Sequence, residues 1–465
     1  MELKVSEIAE ALKRAGRGGR LIRGGDAVAG GVVTDSRKEC RGAVFFALRG
    51  PNFDGHRFIA DAFARGAVAA VVDEKGAAAQ PACAAIIEVD DTLSALGSLA
   101  AFVRRGFAGP VVAVSGSAGK TTTKDMTASI LGRSRKVLKT EGNRNNLIGL
   151  PLTLFGLDGS HGAAVVELGI SEPGEMERLA AIARPDVALI TNIGRGHLEG
   201  LGSLEGVARA KAPLFGCLEE KGVMVVNLDD PWVVSIAGTM RNAVTYSLKG
   251  AADVRVRRCT EAGLAGTTVT YVVRGRDVTV RLSAPGLVNV MNGVAAIAAS
   301  LPLGAGEKDV EEGLGSFVPA KGRMEVIRAG GAGGVAVLDD TYNANPESVA
   351  AALDTLRKAG GRKVAVLGDM LELGPSSRDE HREAGRLAGT LGIEVVVAVG
   401  SYAADLLEGA ASAGAREVYG FNSREEAAAA LGGLIKRGDT VLVKGSRAVG
   451  LEYITDWLKT EFEKA

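Results

Sequence analysis

The stretch that most constrains the fold runs from Val111 to Lys124: Val-Val-Ala-Val-Ser-Gly-Ser-Ala-Gly-Lys-Thr-Thr-Thr-Lys. An apolar strand enters a glycine turn, and lysine, threonine and a helical pattern follow. The backbone N–H groups of such a turn and the N-terminus of the helix behind it form a cradle for anions. In that arrangement Gly116, Ser117, Ala118, Gly119 and Thr122 line the cradle. Lys120 reaches the terminal phosphates, and the Thr121 hydroxyl faces Mg²⁺. The strict pattern GxxxxGK[ST] calls for glycine at 114, where this chain has Val114. The loop is therefore a variant with its first glycine at Gly116.

Continuous apolar runs recur after the loop at Ala163–Leu168, Val187–Ile193 and Val223–Leu228. Separated by helix-length stretches, they predict a parallel sheet covered on both faces. Val254–Ser283 alternates instead and predicts a small antiparallel element ahead of a helix over Val290–Ser300. Before the loop, the apolar runs Ala43–Leu48 and Ala67–Val72 suit a small α/β module. A helix over Thr92–Arg105 leads out of it. After Pro319, strands over Val335–Leu338, Lys363–Leu367, Glu394–Val399, Glu417–Tyr419 and Thr440–Val443 alternate with helical stretches, which gives an open, mostly parallel sheet. The expected architecture is α/β in three domains, 1–87, 88–318 and 319–465. The central one is of P-loop type with the antiparallel insert, and the last is Rossmann-like. The Ala/Gly clusters Gly76–Ala79 and Gly330–Gly334 suit surface turns.

Lysine plus arginine and aspartate plus glutamate each number 55, which argues against a basic nucleic-acid binder. The N-terminal residues read as an amphipathic helix, with neither a signal-type apolar core nor any run long enough for a membrane span. Cys40, Cys83, Cys217 and Cys259 have no CxxC spacing, so reduced thiols in a cytoplasmic protein are the expectation.

A nucleoside triphosphate needs hard cations held by oxygen ligands. Glu167 ends an apolar strand, and His197 follows another by a few residues. In open α/β sheets ligands gather at the carboxyl ends of strands, so both are candidate metal ligands. Lys211 lies in the next helix, where composition alone suggests a solvated side chain. His161 reads as a surface loop residue. Gly200–Gly206 imitates a dinucleotide fingerprint with one glycine misplaced, and reads as a loop and helix start.

Gly116–Lys124, Glu167-Leu-Gly169, Thr191-Asn-Ile-Gly194 with His197, and Ala210-Lys211 together resemble the central domain of the Mur ligases, the ATP-dependent amide-forming enzymes of peptidoglycan precursor synthesis. The likeness continues in Asn289-Val-Met-Asn292, Gly322-Arg-Met-Glu325, Asp339–Pro346, Leu367–Gly374 and Val443-Lys-Gly-Ser-Arg447. Asp339–Pro346 and Leu367–Gly374 resemble the branch that joins D-alanyl-D-alanine to a UDP-N-acetylmuramoyl-tripeptide. Thr34–Arg37 and Gly50–His56 resemble its UDP-binding module. The resemblance covers essentially the whole chain.

It implies a bacterial cytoplasmic monomer using ATP and two Mg²⁺ ions. The tripeptide carboxylate would become an acyl phosphate, which the dipeptide amine attacks. Lys120, Glu167, His197 and Lys211 would be catalytic. Thr121, Glu167, His197 and a carbamylated Lys211 would serve the metal. Asn289 and Asn292 match adenine contacts, Arg323 a phosphate contact and Asp340 a ribose contact. Asn143, Asn145 and Asn146 match the loop near the muramyl-peptide carboxylate. Ser36 and Arg37 would hold the UDP moiety, with Asp54 and His56 ordering their loop. Lys444 and Arg447 would lie toward nucleotide or dipeptide. The third residue of the tripeptide, meso-diaminopimelate or lysine, stays open.

One position departs from the family pattern: Val288 stands where histidine is common before Asn289. A site shared by two domains also implies rotation of the last one about Val318–Gly322. The competing readings are a sister ligase or folylpolyglutamate synthase, a P-loop NTPase working as a conformational switch, and a UDP-sugar-binding protein.

Overall fold

The computed structural model describes residues 2–74, 85–331 and 333–463. Gly76–Ala79 and Cys83 lie outside the described residues. The predicted apolar runs all form strands, organised in three principal sheets.

The N-terminal sheet has five strands in the order Gly18–Arg23, Ile86–Val89, Ala69–Asp73, Ala43–Phe46, Gly31–Val33. All its pairs are parallel except the first. The helix Val5–Arg14 packs beside it, burying Val5, Ile8, Ala9 and Leu12 at helical spacing. The helix Thr92–Gly106 opens with Asp91 accepting from the Ser94 amide. Its Leu96 and Leu99 belong to one hydrophobic cluster that runs from Ile8 and Val44 to Val111 and Ala113. The first two units therefore share a core.

The central sheet has nine strands. Val111–Ser115 lies between Ala163–Glu167 and Val187–Ile190, parallel to both. This register sets Glu167 beside Val114 and Ile190 beside Ser115, so the phosphate loop, Glu167 and the segment toward His197 leave one edge. The expected antiparallel insert is a continuation of this sheet. Val254–Glu261 pairs parallel with Ala243–Ser247, then antiparallel with Thr267–Val273, which in turn pairs with Arg276–Leu282. The helix Leu287–Ser300, almost wholly buried, starts three residues before the predicted Val290.

The C-terminal sheet has six strands, parallel apart from the edge strand Glu325–Ala329. The strand Val335–Asp340 runs two residues beyond the predicted Leu338 and carries Asp340 to its carboxyl end. Two clusters, one on Leu338, Ala365 and Val396 and the other on Val337, Val366 and Val441, give this sheet its own core on both faces. Its principal bridges to the central unit are polar. Arg195 pairs with Glu347 and Glu380, and His197 pairs with Glu372.

Candidate active site

A cleft of about 640 Å³ opens between the central and C-terminal sheets. The central sheet contributes Ser117–Thr122, Glu167, His197, Asn289 and Asn292, and the C-terminal one Arg323, Asp340 and Lys444. Most of the predicted nucleotide and metal residues thus meet in one place. Gly116, Asn143, Lys211 and Arg447 do not line the cleft, and Ser36 and Arg37 lie away from it in the N-terminal unit.

The phosphate loop is held from behind by Thr191-Asn-Ile-Gly194. Asn192 accepts from the Ser117 amide through its carbonyl (3.0 Å) and from the Ala118 amide through Oδ1 (2.9 Å). Thr191 Oγ1 donates to the Ala118 carbonyl at 2.6 Å. Gly116 has φ +141°, and a Cβ there would sit 1.9 Å from Thr191 Oγ1. Gly119 has φ +78°, and a Cβ would sit 2.4 Å from Asn292 Oδ1. Glycine is required at both positions.

Lys120 Nζ donates to the carbonyls of Gly116 (2.7 Å) and Ser117 (3.3 Å). Burial pushes its pKa down, opposed by Glu167 and assisted by Arg323. Thr121 Oγ1 donates to Glu167 Oε2 at 2.6 Å, and Asn145 Nδ2 donates to Glu167 Oε1 at 2.8 Å. The Glu167 amide donates to Thr140 Oγ1, whose carbonyl accepts from the buried Lys124. Asn289 and Asn292 are buried. Asn289 donates to the Pro285 carbonyl, and Asn292 Oδ1 accepts from Thr123.

His197 has φ +60° and its Nδ1 lies 2.5 Å from Glu372 Oε2. This hydrogen bond holds the Glu372 carboxyl below the ordinary carboxylate range. Among the described residues no group of three or more His, Cys, Asp or Glu side chains could by itself hold a metal ion. The donors at hand are the buried Glu167 carboxylate, the Thr121 hydroxyl and the His197 imidazole. They fit a hard cation that takes its remaining oxygens from phosphate and water, as Mg²⁺ does.

Lys211 is not solvated. It is 1% exposed, and burial, with Lys120 pushing the same way, brings its pKa down to about 7. The helix Leu204–Lys211 turns it inward, a placement composition does not reveal.

Across the cleft, Asp340 Oδ2 accepts from Lys444 Nζ at 2.6 Å, and Oδ1 accepts from the Met324 amide. The Arg323 guanidinium stacks 3.8 Å over the Tyr342 ring, and Arg447 approaches the same ring and donates to its hydroxyl. In the N-terminal unit Arg37 pairs with Asp35, and Ser36 is buried. His56 is fixed between Asp54 and the Asp73 amide. Asn146 Oδ1 accepts from the Ile148 and Gly149 amides in the turn that leads into the helix Gly149–Leu154. His161 sits in a turn, folded back on Asp158. Gly200 and Leu201 end the short helix Leu198–Leu201, where a loop was expected; Gly202 and Ser203 are the loop, and Ser203 caps the expected helix start at Leu204.

Residues that sequence reasoning passed over include Thr140, Asn192, Tyr342, Glu347 and Glu372. Asn192, Tyr342 and Glu372 lie inside motifs already singled out, where only the three-dimensional arrangement separates scaffold from site. Glu347 follows directly on such a motif. Among the described residues no helix is long and apolar enough to cross a membrane.

The chain matches the Mur ligase middle domain over residues 114–300, the glutamate ligase domain of Mur ligases over 322–447, and the catalytic domain of the Mur ligase family over 29–104. It is 37% identical over 427 residues to the UDP-N-acetylmuramoyl-tripeptide–D-alanyl-D-alanine ligase of Bacillus subtilis, covering 91% of this chain and 92% of that one. The ligase of the same name from Escherichia coli is 36% identical over 438 residues, covering 93% and 94%. Among solved structures, MurF from Acinetobacter baumannii superposes with a TM-score of 0.89 at 34% identity, covering 99% of both chains. The MurF ligase of Thermotoga maritima in complex with ADP gives 0.81 at 31% identity, covering 93% of this chain and 98% of that one. With three domain matches in order and relatives above one-third identical along nearly its whole length, the chain belongs to the Mur ligase family.

Proposed function

We propose that this enzyme joins D-alanyl-D-alanine to the terminal carboxylate of UDP-N-acetylmuramoyl-tripeptide with cleavage of ATP to ADP and phosphate. The observation that carries the reading is the shared cleft. Lys120, Thr121 and Glu167 stand on one wall, and Arg323, Asp340 and Lys444 on the other.

A carboxylate does not condense with an amine in water, because oxide is a poor leaving group. Transfer of the γ-phosphoryl group to a carboxylate oxygen breaks the bond to ADP and gives an acyl phosphate. The dipeptide amine then forms its bond to the acyl carbon and gives up a proton, and the C–O bond to phosphate breaks. Both steps displace negative charge, so positioning and electrostatics dominate. Mg²⁺, when bound, neutralises charge on the phosphate oxygens. The chain's own part is to cradle the phosphates with the amides of Ser117–Thr121, aim Lys120 at them, hold adenine with Asn289 and Asn292, and take ribose on Asp340. Asn143, Asn145 and Asn146 face the tripeptide, and Ser36 and Arg37 the UDP end. Arg447, beside Tyr342 and behind the cleft wall, would act toward nucleotide or dipeptide.

The same reading gives Lys211 a carbamate. An amine attacks CO₂ only when neutral, and a pKa of about 7 leaves a large neutral fraction at physiological pH. The carbamate is an oxygen donor for a second Mg²⁺. A monomer in the bacterial cytoplasm, three domains, and rotation of the last about Val318–Gly322 complete it. The first division falls after the strand Ile86–Val89, which belongs to the N-terminal sheet, rather than at 87/88, and the second stays at 318/319. The separate core of the C-terminal sheet and its polar bridges support that motion.

The test is ADP release with ATP, Mg²⁺ and UDP-MurNAc-tripeptide, with and without D-Ala-D-Ala. Release that requires both partners, with a product heavier by the dipeptide, is expected. Release with nucleotide alone would point instead to a switch ATPase.

A further inference from the structure

His197 is presented to the cleft from the central unit, but its partner comes from the other side of it. Glu372 Oε2 lies 2.5 Å from His197 Nδ1. Glu372 is not itself a lining residue, so it touches the site through the imidazole. Both residues hold the left-handed backbone conformation, at φ +60° and +64°, which non-glycine residues adopt at a cost. That cost is met by a local lock. The Glu199 amide donates to the Glu372 carbonyl at 3.1 Å, joining the two segments by their main chains. On the C-terminal side, the Leu371 amide donates to Ser446 Oγ and the Ser446 amide to the Asp369 carbonyl, each at 2.9 Å. Two residues before His197, Arg195 reaches the same C-terminal unit, with Nε on Glu347 and Nη1 on Glu380, each at 3.0 Å. Gly194 allows this close approach, since a Cβ there would meet Glu347 Cδ at 2.9 Å.

A carboxylate accepting at Nδ1 makes Nδ1 the donor of a neutral imidazole and leaves the lone pair on Nε2. Metal-binding histidines are commonly fixed in this way by a carboxylate behind the ring. We propose that Glu372 is the positioning residue for His197, supplied in trans by the C-terminal unit, so that the imidazole takes its ligand tautomer and orientation only when the two units are docked. The proposal rests on the reading of the cleft as a nucleotide–metal site. It makes docking of the units and completion of the metal site one event, which would keep ATP from being spent while the cleft is open.

The test reads the imidazole directly. The chain has four histidines, so long-range ¹H–¹⁵N correlation spectra of the full protein resolve each ring, with His197→Gln identifying the signal in question. Spectra are recorded at alkaline pH. Wild-type His197 is expected as the Nδ1–H tautomer, and Glu372→Ala is expected to lose that preference. In parallel, electron paramagnetic resonance of Mn²⁺ with ADP is expected to show affinity weakened about 10–100-fold in Glu372→Ala, with the melting temperature held. An Nε2–H tautomer in the wild type, or a variant that keeps both the tautomer and Mn²⁺ affinity, overturns the proposal. If wild-type protein binds neither ADP nor Mn²⁺, the reading of the cleft fails, and the tautomer in the ligand-free protein still decides the role of Glu372.

Discussion

Thr121 and Glu167 are joined by a hydrogen bond of 2.6 Å, from the hydroxyl that opens the helix behind the phosphate loop to the last residue of the neighbouring strand. With Asn145 on the other oxygen, the buried carboxylate is pinned at both ends. Its charge is therefore aimed before any ligand arrives, which is the preorganisation that electrostatic catalysis needs. Glu167→Gln keeps the volume and removes the charge. The expected outcome is a fall in kcat of about 10²–10³ with little change in melting temperature, read as phosphate release at saturating substrates.

Gly116→Ala should damage the loop itself. The new methyl group would lie 1.9 Å from Thr191 Oγ1 and the backbone would sit at φ +141°. A loss of about 1–3 kcal/mol in stability and a clear weakening of ATP-analogue binding are expected. Adding Thr191→Ala removes the clashing atom but not the backbone strain, so the double variant should recover only in part. Denaturant titration and calorimetry on the two variants check both statements.

Legibility in the sequence followed burial. Strands covered on both faces, such as Ala163–Glu167 and Val395–Val399, are near-continuous apolar runs and were predictable. Gly18–Arg23 and Val137–Lys139 are short edge strands carrying glycine or lysine, and no run announces them. The phosphate loop was legible because strand, glycines, lysine and helix are contiguous. Lys211 was not, because what buries it is packing between elements, and its lowered proton affinity follows from that burial and from the nearby Lys120 charge. The pairing of His197 with Glu372 joins two motifs that sequence reasoning set side by side without a contact between them.

Lys444 and Asp340 form an ion pair in which the lysine is 2% exposed. Lys444→Met would leave Asp340 without its cation beside the cleft, and breaking such a buried pair costs about 3–5 kcal/mol. Replacing both, as Lys444→Met with Asp340→Asn, removes the stranded charge and should cost less than Lys444→Met alone. Both proteins should bind ATP analogues more weakly. Chemical denaturation midpoints, compared at equal m-values, decide the first point, and analogue titration the second.

Lys211 gives a pH signature in stability. In the unfolded chain its amine titrates near 10.5, and in the fold near about 7. Between those values the unfolded chain binds the proton and the folded chain does not. Acidification from about pH 10 to about pH 7 therefore favours unfolding, and below about 7 both states carry the charge and the loss is constant. Lys211→Met removes a buried amine and keeps most of the volume. In CO₂-free buffer the variant should be more stable than wild type at and below pH 7, by an amount on the order of a few kcal/mol at most. That advantage should shrink steadily as pH rises and level off only above about 10.5, where the wild-type amine is neutral in both states. Addition of bicarbonate should alter the wild type more than the variant, because only the wild type has the buried amine at position 211. Urea denaturation across this pH range, with and without bicarbonate, checks the slope. A stability difference independent of pH would mean that Lys211 keeps its ordinary proton affinity in the fold.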